Sequence, residues 1–373
     1  MLIRVPDAEP CESNPTVADS PSVASPAPAS ALAEEAAVDA RAPETERDGR
    51  RWSRWRRAWF VLAALALIAV LVPVLARLFG IETGPLAILV ALMPWVTVAC
   101  VVPVVLALVA RAWWLVAASA AVLVLCLIWA VPMFTAQHAL GGGVVRVATI
   151  NLTFGQADVD AVVELVRDHE VNILAAQEVT PEAVEALRAA GLDDLLPYSE
   201  VAAEPGVTGT GLWSRSPLSK ATTLDTSDEV EKLGGYVSQA VKADVDVAGQ
   251  QLTVFAIHPA APGLTAHASW DADLSRLTDV LAGQSGPTLV LGDFNTTRDH
   301  RAFREIQALG YADAADQAGA GFLPTFPEGR GPWPFVAIDH ALVGHVDFVA
   351  TSVSTASIPG ADHRMLLVTY GAA

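Results

Sequence analysis

The sequence predicts an α/β domain, two packed mixed sheets with helices outside, preceded by a three-helix transmembrane region. Three observations carry this expectation. Residues 58–134 are almost free of charge and hold three apolar runs, at 58–76, 85–110 and 112–134. A short Gly-rich stretch at 138–143 then ends the apolar region. Beyond it, β-prone runs alternate with segments of helical spacing, a pattern that within one domain puts helices outside packed sheets.

Residues 1–57 are rich in Ala, Pro, Ser and Glu without apolar periodicity and read as a disordered tail. The shortest apolar run, 58–76, rises roughly 28 Å at ~1.5 Å per residue, close to the ~30 Å hydrocarbon core of a bilayer. None of the three runs carries a charged side chain, and Pro73, Pro94, Pro103 and Pro132 are tolerated far better in membrane helices than in soluble ones. A cleavable signal peptide fits poorly, because the first run lies behind a long polar tail and two more follow. Arg47, Arg50, Arg51, Arg54, Arg56 and Arg57 crowd the start of the first run and place the N-terminus in the cytoplasm. Three spans then carry the C-terminal domain outside, so the expectation is a multi-pass protein of the cytoplasmic membrane with an extracytoplasmic domain. Trp52, Trp55, Trp59, Trp113 and Trp114 suit either the cytoplasmic interface belt or helix packing.

A linker at 135–143 leads into the domain at 144–373. Strands are expected at 144–152, 171–176, 209–214, 238–245, 251–258, 288–292, 335–343 and 365–370, and helices at 158–169, 181–190, 268–281 and 302–309. No internal repeat is present. Cys11, Cys100 and Cys126 all precede this domain, which excludes a disulfide framework, a cysteine nucleophile and a thiolate zinc site from it. Residues 145–373 hold 13 Lys and Arg against 30 Asp and Glu, a net −17. Such a surface opposes unspecific binding to nucleic acid, although bound cations can invert the local field.

Five polar clusters, most of them at the ends of apolar runs, follow in order. They are Thr149-Ile150-Asn151, Gln177-Glu178-Val179, Ile257-His258-Pro259, Gly292-Asp293-Phe294-Asn295, and the pair Ile338-Asp339-His340 with Ala361-Asp362-His363. In these residues, together with Leu212-Trp213-Ser214-Arg215-Ser216-Pro217, the domain resembles the endonuclease/exonuclease/phosphatase superfamily over about residues 144–371. The resemblance implies a four-layer α/β sandwich with the site where strand ends of both sheets converge. It also implies a metal-dependent phosphoric ester hydrolase, of phosphodiesterase or nuclease type, acting on nucleic acid, a phospholipid headgroup or a soluble phosphoester.

Attack on a phosphodiester needs a cation to offset charge, an activated water and donors around the phosphorus. By resemblance Glu178 is the main metal ligand, with Asn151 and Asp362 nearby, for Mg²⁺ or alternatively Mn²⁺; Asn151 also reaches substrate. Alone, Glu178 fits a solvated loop residue better than a ligand. Asp293 and Asn295, two apart, would share a side on extended backbone, with Asp293 on the attacking water and the Asn295 amide on a phosphate oxygen; Gly, Asp and Asn also favour a turn. An imidazole works near neutral pH and a carboxylate fixes its tautomer, which the family pattern assigns to His363 and Asp339. His363 is base or phosphate ligand and Asp293 competes for the role of base, while His258 donates to a non-bridging oxygen. His340 would point to the opposite strand face, and His169, His267, His300 and His345 read as surface or core residues.

Two positions depart from the family pattern. Thr153 stands where some nuclease members carry a metal-binding Asp, and Ala361 stands where a Ser usually precedes the last Asp-His. Arg298, Arg301 and Arg304 suit either a polyanionic substrate or a solvated helix surface, and Gly331-Pro332-Trp333-Pro334-Phe335 is a candidate for dipping into lipid or a packed turn. The alternatives are a non-catalytic phosphoester-binding or scaffold module, which would usually have lost a ligand or the base, and a transporter, for which the uncharged spans offer little. The bilayer is the other expected partner; no protein partner is legible.

Overall fold

The computed structural model describes residues 44–138, 143–224, 239–247, 249–263 and 267–372; most of the expected tail and part of the expected linker lie outside them. Helix α1 (Glu44–Phe79) starts well before residue 58, since Glu, Arg and Trp continue the helical hydrogen bonding that apolarity alone does not mark. The second run is broken into α2 (Pro85–Ala91), α3 (Met93–Ala99) and α4 (Val101–Ala110). Pro94 and Pro103 lack the N–H that a continuous ladder needs. Helix α5 (Trp113–Ala130) runs into a 3₁₀ turn at Val131–Phe134. Among the described residues, three segments are long and apolar enough to cross a membrane: Ser53–Phe79, Met93–Ala110 and Trp113–Phe134. At one end of this bundle Arg56 donates from Nε to the Ala110 carbonyl, 3.3 Å, where α4 leaves its last carbonyls unsatisfied.

The domain is built from two six-stranded sheets. The first contains β1 (Gly143–Asn151), β2 (Ile173–Gln177), β3 (Tyr198–Ala202), β4 (Thr210–Ser214), β11 (Phe348–Ser357) and β12 (Arg364–Ala372), in the order β11-β12-β1-β2-β4-β3. The second contains β5 (Leu218–Leu224), β6 (Ala240–Val247), β7 (Gln250–Ile257), β8 (Thr288–Asp293), β9 (Ala312–Asp313) and β10 (Asp339–Gly344), in the order β5-β6-β7-β8-β10-β9. Their inner faces meet in one apolar core, with Val147, Ile173, Leu212 and Val368 from one sheet against Val241, Val254, Leu289 and Ala341 from the other. Helices α6 (Val159–Asp168) and α7 (Pro181–Ala189), with the short α8 (Leu192–Leu195), cover the outer face of the first sheet. Helices α9 (His267–Ala282) and α10 (Arg301–Ala308) cover the second, and α11 (Ala314–Ala318) follows β9. The result is the expected four-layer α/β sandwich.

Strand direction decides where the chemistry collects. β1 and β2 run parallel, as do β7 and β8, so all four finish at one edge of the sandwich. β12 is antiparallel to β1 and β10 is antiparallel to β8, so both start at that same edge. Asp339, the first residue of β10, pairs in register with Asp293, the last of β8. The expected strand 335–343 is shorter than its apolar run, because residues 335–338 form a loop arm with one bridge between Val336 and Phe326.

The domain is clamped to the bundle. The Arg77 guanidinium, in the last turn of α1, lies 2.6 Å from Asp299 and stacks 3.8 Å over the Trp129 ring. Arg298 donates to the Trp129 carbonyl, 2.9 Å, and Arg304 to the Arg77 carbonyl, 2.8 Å. The Arg301 backbone N–H reaches Glu82, 2.7 Å, and its guanidinium reaches Asp271, 3.0 Å. The three arginines weighed as contacts for a polyanion therefore serve the domain's own ionic and main-chain contacts, two of them directly on the helix ends. Glu82 carries the trace of this enclosure: burial pushes its carboxyl up to about 7, opposed by the Arg301 N–H and nearby guanidinium groups.

Candidate active site

At the convergent edge each polar side chain follows from a local backbone event. Asn151 ends β1 and Glu178 follows β2 with φ 55°, a left-handed turn that an apolar strand residue would resist. Thr153, Phe154 and Asn295 also have positive φ, so four of the eight such non-glycine residues among those described border this site. Clustering of this kind is usual where geometry is held for chemistry. Gly360, at φ 80°, admits the turn before Asp362-His363, because a Cβ there would collide with the Gln156 carbonyl.

Asp293 is the hub. Its Oδ2 accepts from Asn151 Nδ2 at 3.1 Å and faces both His258 Nε2 and His363 Nε2 at 3.6 Å. Its Oδ1 accepts the Asn295 backbone N–H at 2.8 Å. Asn151 also donates to Glu178 Oε1, 3.1 Å, while Glu178 Oε2 accepts from the Phe154 N–H, 2.7 Å. The Val207 carbonyl accepts from His258 Nδ1 at 3.1 Å, which turns Nε2 toward Asp293. Asp339 Oδ2 accepts from His363 Nδ1 at 2.9 Å. Burial works against a charged His363, but the carboxylates of Asp339 and Asp293 outweigh it and push the imidazole up to about 9.

The structure thus brings together Asn151, Glu178, His258, Asp293, Asn295, Asp339 and His363. Asp362 stands to one side: Oδ1 accepts from the Thr153 hydroxyl, 2.7 Å, and Oδ2 pairs with Arg330, 2.7 Å. Thr153 also accepts the Asp362 N–H, 2.8 Å, so the residue in the variant position ties two site loops together. Asn295 does not lie on extended backbone; the Asp293 side chain caps a turn there, and Asn295 Nδ2 donates to the Pro259 carbonyl, 3.0 Å. His340 points to the far face as expected, and pairs with Asp313.

A divalent cation fits the donor chemistry. Asp293, Asp339 and His363, all buried, offer ligand atoms within 4.8 Å of one another. Asp339 Oδ1 is buried without a hydrogen-bond partner among the described residues, which leaves it available to an ion. Glu178 adds a hard carboxylate oxygen on the other side of Asn151.

Residues 148–363 match the Endonuclease/Exonuclease/phosphatase family. The chain belongs to that family. With membership go the hydrolase class and the fold of phosphoester hydrolases, here with a buried Asp/Asp/His group suited to a metal. Among solved structures it is similar to a family protein from Bacteroides vulgatus at 20% identity, covering 61% of this chain and 99% of that one, with TM-score 0.49. A family protein from Beutenbergia cavernae aligns at 17% identity over 61% and 71% of the two chains, TM-score 0.48. Sphingomyelinase C from Streptomyces griseocarneus aligns at 14% over 60% and 98%, TM-score 0.44. No curated protein matches this chain.

Sequence reasoning missed three residues around the family site. Phe326 packs against His363 with ring centroids 4.7 Å apart and the rings tilted by 42°, Trp270 donates to the Asn295 carbonyl at 2.9 Å, and Arg330 pairs with Asp362. Phe326 and Arg330 lie in an irregular loop with no periodicity, and Trp270 reads as an ordinary apolar position of α9.

Proposed function

We propose that this chain is a membrane-anchored, Mg²⁺-dependent phosphoester hydrolase of phosphodiesterase or nuclease type whose catalytic domain lies outside the cytoplasmic membrane. The observation that carries the chemistry is one buried carboxylate, Asp293, faced by Asn151, His258 and His363 at the edge where both sheets end. Asp293 orients the attacking water and takes its proton. His363, oriented through Nδ1 by Asp339, donates from Nε2 to a non-bridging phosphate oxygen, with Asp293 in the role of base. His258 and the free amide hydrogen of Asn295 supply further donors, and Asn151 spaces Glu178 from Asp293. As water oxygen bonds to phosphorus the ester P–O bond breaks and the leaving oxygen takes up a proton. Glu178 with Asn151, and the carboxylates beside them, would hold Mg²⁺, or Mn²⁺ in its place; when bound, the ion neutralises charge building on the phosphoryl oxygens.

The side of the membrane is supported by the basic residues at the start of the first span, including Arg56 and Arg57, and by the odd number of spans. Full-length protein in detergent, given a chromogenic phosphodiester with Mg²⁺, with chelator and as Glu178→Ala, tests the reaction. Turnover lost in both of the last two arms is expected. Turnover indifferent to chelator would overturn the metal reading, and silence of a folded protein across phosphodiesters and phosphomonoesters would favour the scaffold alternative. Protease accessibility of the C-terminus in intact cells tests the side.

A further inference from the structure

One loop touches the catalytic imidazole at one end and a membrane span at the other. It leaves the site at Phe326, whose ring lies against His363, and returns at residues 335–336, which hydrogen-bond to the Phe326 backbone at 3.0 Å. Between these ends the Glu328 N–H donates to the Asp362 carbonyl, 2.7 Å, and Arg330 covers the Asp362 carboxylate. At its far side the Phe335 carbonyl accepts from Trp95 Nε1 at 2.8 Å, and the Trp95 ring meets Phe322 edge-on at 5.9 Å. Trp95 is the third residue of the span Met93–Ala110. A tryptophan at a span end sits at headgroup depth, so its hydrogen bond fixes Phe335 at that depth too. Trp333 and Phe335 are large apolar rings, 61% and 43% exposed, in the loop that Trp95 holds.

Resting on the hydrolase reading above, we propose that this loop is a lipid-contacting surface and that the substrate is a phosphoester carried by a lipid of the same bilayer. Trp333 and Phe335 enter the headgroup layer, as amphipathic aromatic rings do. The phosphate of a neighbouring lipid then reaches the cleft past Arg330, whose exposed guanidinium can exchange its Asp362 partner for the phosphate. A water-soluble substrate needs no such arrangement. A nucleic acid is disfavoured further by the net −17 of residues 145–373.

The test uses full-length protein in liposomes of phosphatidylcholine, phosphatidylglycerol and cardiolipin, with headgroup release followed by phosphorus NMR. A chromogenic phosphodiester in solution is assayed in parallel. Trp333→Ser is expected to lower lipid turnover about tenfold while leaving the soluble diester unchanged. Brominated lipid is expected to quench wild-type tryptophan fluorescence more than that of Trp333→Phe. Hydrolysis of the soluble diester, or of DNA, with none of the lipids touched overturns the substrate class. Equal loss on both substrates makes Trp333 structural and overturns the surface. Failure of every substrate with Mg²⁺ present removes the hydrolase reading instead, and the quenching difference still decides the surface.

Discussion

Asp339 and His340 are neighbours at the start of β10, yet they serve two different histidine–carboxylate pairs on opposite faces of the strand. Asp339 holds His363 at 2.9 Å in the cleft, and His340 pairs with Asp313 at 3.0 Å behind the sheet. Both histidines are buried, and in both burial is outweighed by carboxylates that raise the imidazole above its ordinary value. The difference lies in the second nitrogen. Nε2 of His340 donates to the Thr296 carbonyl, 3.1 Å, and its ring is enclosed by Phe294 and Phe303. Among the described residues Nε2 of His363 faces Asp293 at 3.6 Å, too long for a good hydrogen bond. A satisfied pair is structure; a pair with one donor left unspent is available to a substrate.

The comparison breaks most sharply on activity. His363→Asn should lower kcat by about 10²–10⁴-fold with little loss of folded protein, whereas His340→Gln should leave kcat per folded molecule nearly intact. Phosphodiester turnover beside circular dichroism reads both, and a reversal of the two outcomes would assign the site to the wrong face. Stability should then invert the ranking: His340→Leu strands Asp313 in the interior and should cost about 3–5 kcal/mol by thermal unfolding.

Proton linkage sharpens the contrast. The His363 imidazole is raised from 6.5 to about 9, so its contribution is full below pH 6.5 and fades as pH rises through 9. In chelator-treated protein His363→Asn should flatten this pH dependence, read by thermal unfolding across the range. His300 has the opposite sign. Burial holds it down at about 4, with Nδ1 accepting from the Thr297 N–H and Nε2 donating to the Ala87 carbonyl. Its contribution is full above pH 6.5 and is lost as pH falls through 4, a slope that His300→Gln should flatten. The smallest effect is expected at the surface: Arg301 and Asp271 are each about half exposed, and Asp271→Asn should cost less than about 1 kcal/mol.

What could be read in the sequence follows the same division between enclosed and open. The inner strands β1, β2, β4, β6, β7, β8, β10 and β12, paired on both sides, announce themselves as apolar runs. The four strands that gave no signal, β3, β5, β9 and β11, are the four sheet edges. Their sides face solvent along much of their length, as in β5 with its five exposed central residues, so alternation is diluted by polar side chains. Within the site the strand-end residues were legible because each follows a buried run. Arg330 and Phe326 were not, because they reach the cleft from a loop whose course is set by contacts rather than by pattern. Arg298, Arg301 and Arg304 were legible as a basic cluster but not in purpose, since their partners lie more than 200 residues away or on other helices.

The pair Arg77–Asp299 joins residues 222 apart, and the Ala87 side chain completes a small apolar cluster with Trp270, Leu274 and Ala302. A chain cut in the linker would leave Asp299, His300 and Trp270 without their covers, although the family match begins only at residue 148. The apolar helices therefore act as part of the domain's own cover, and its durability should depend on side chains far upstream of the ones they shield.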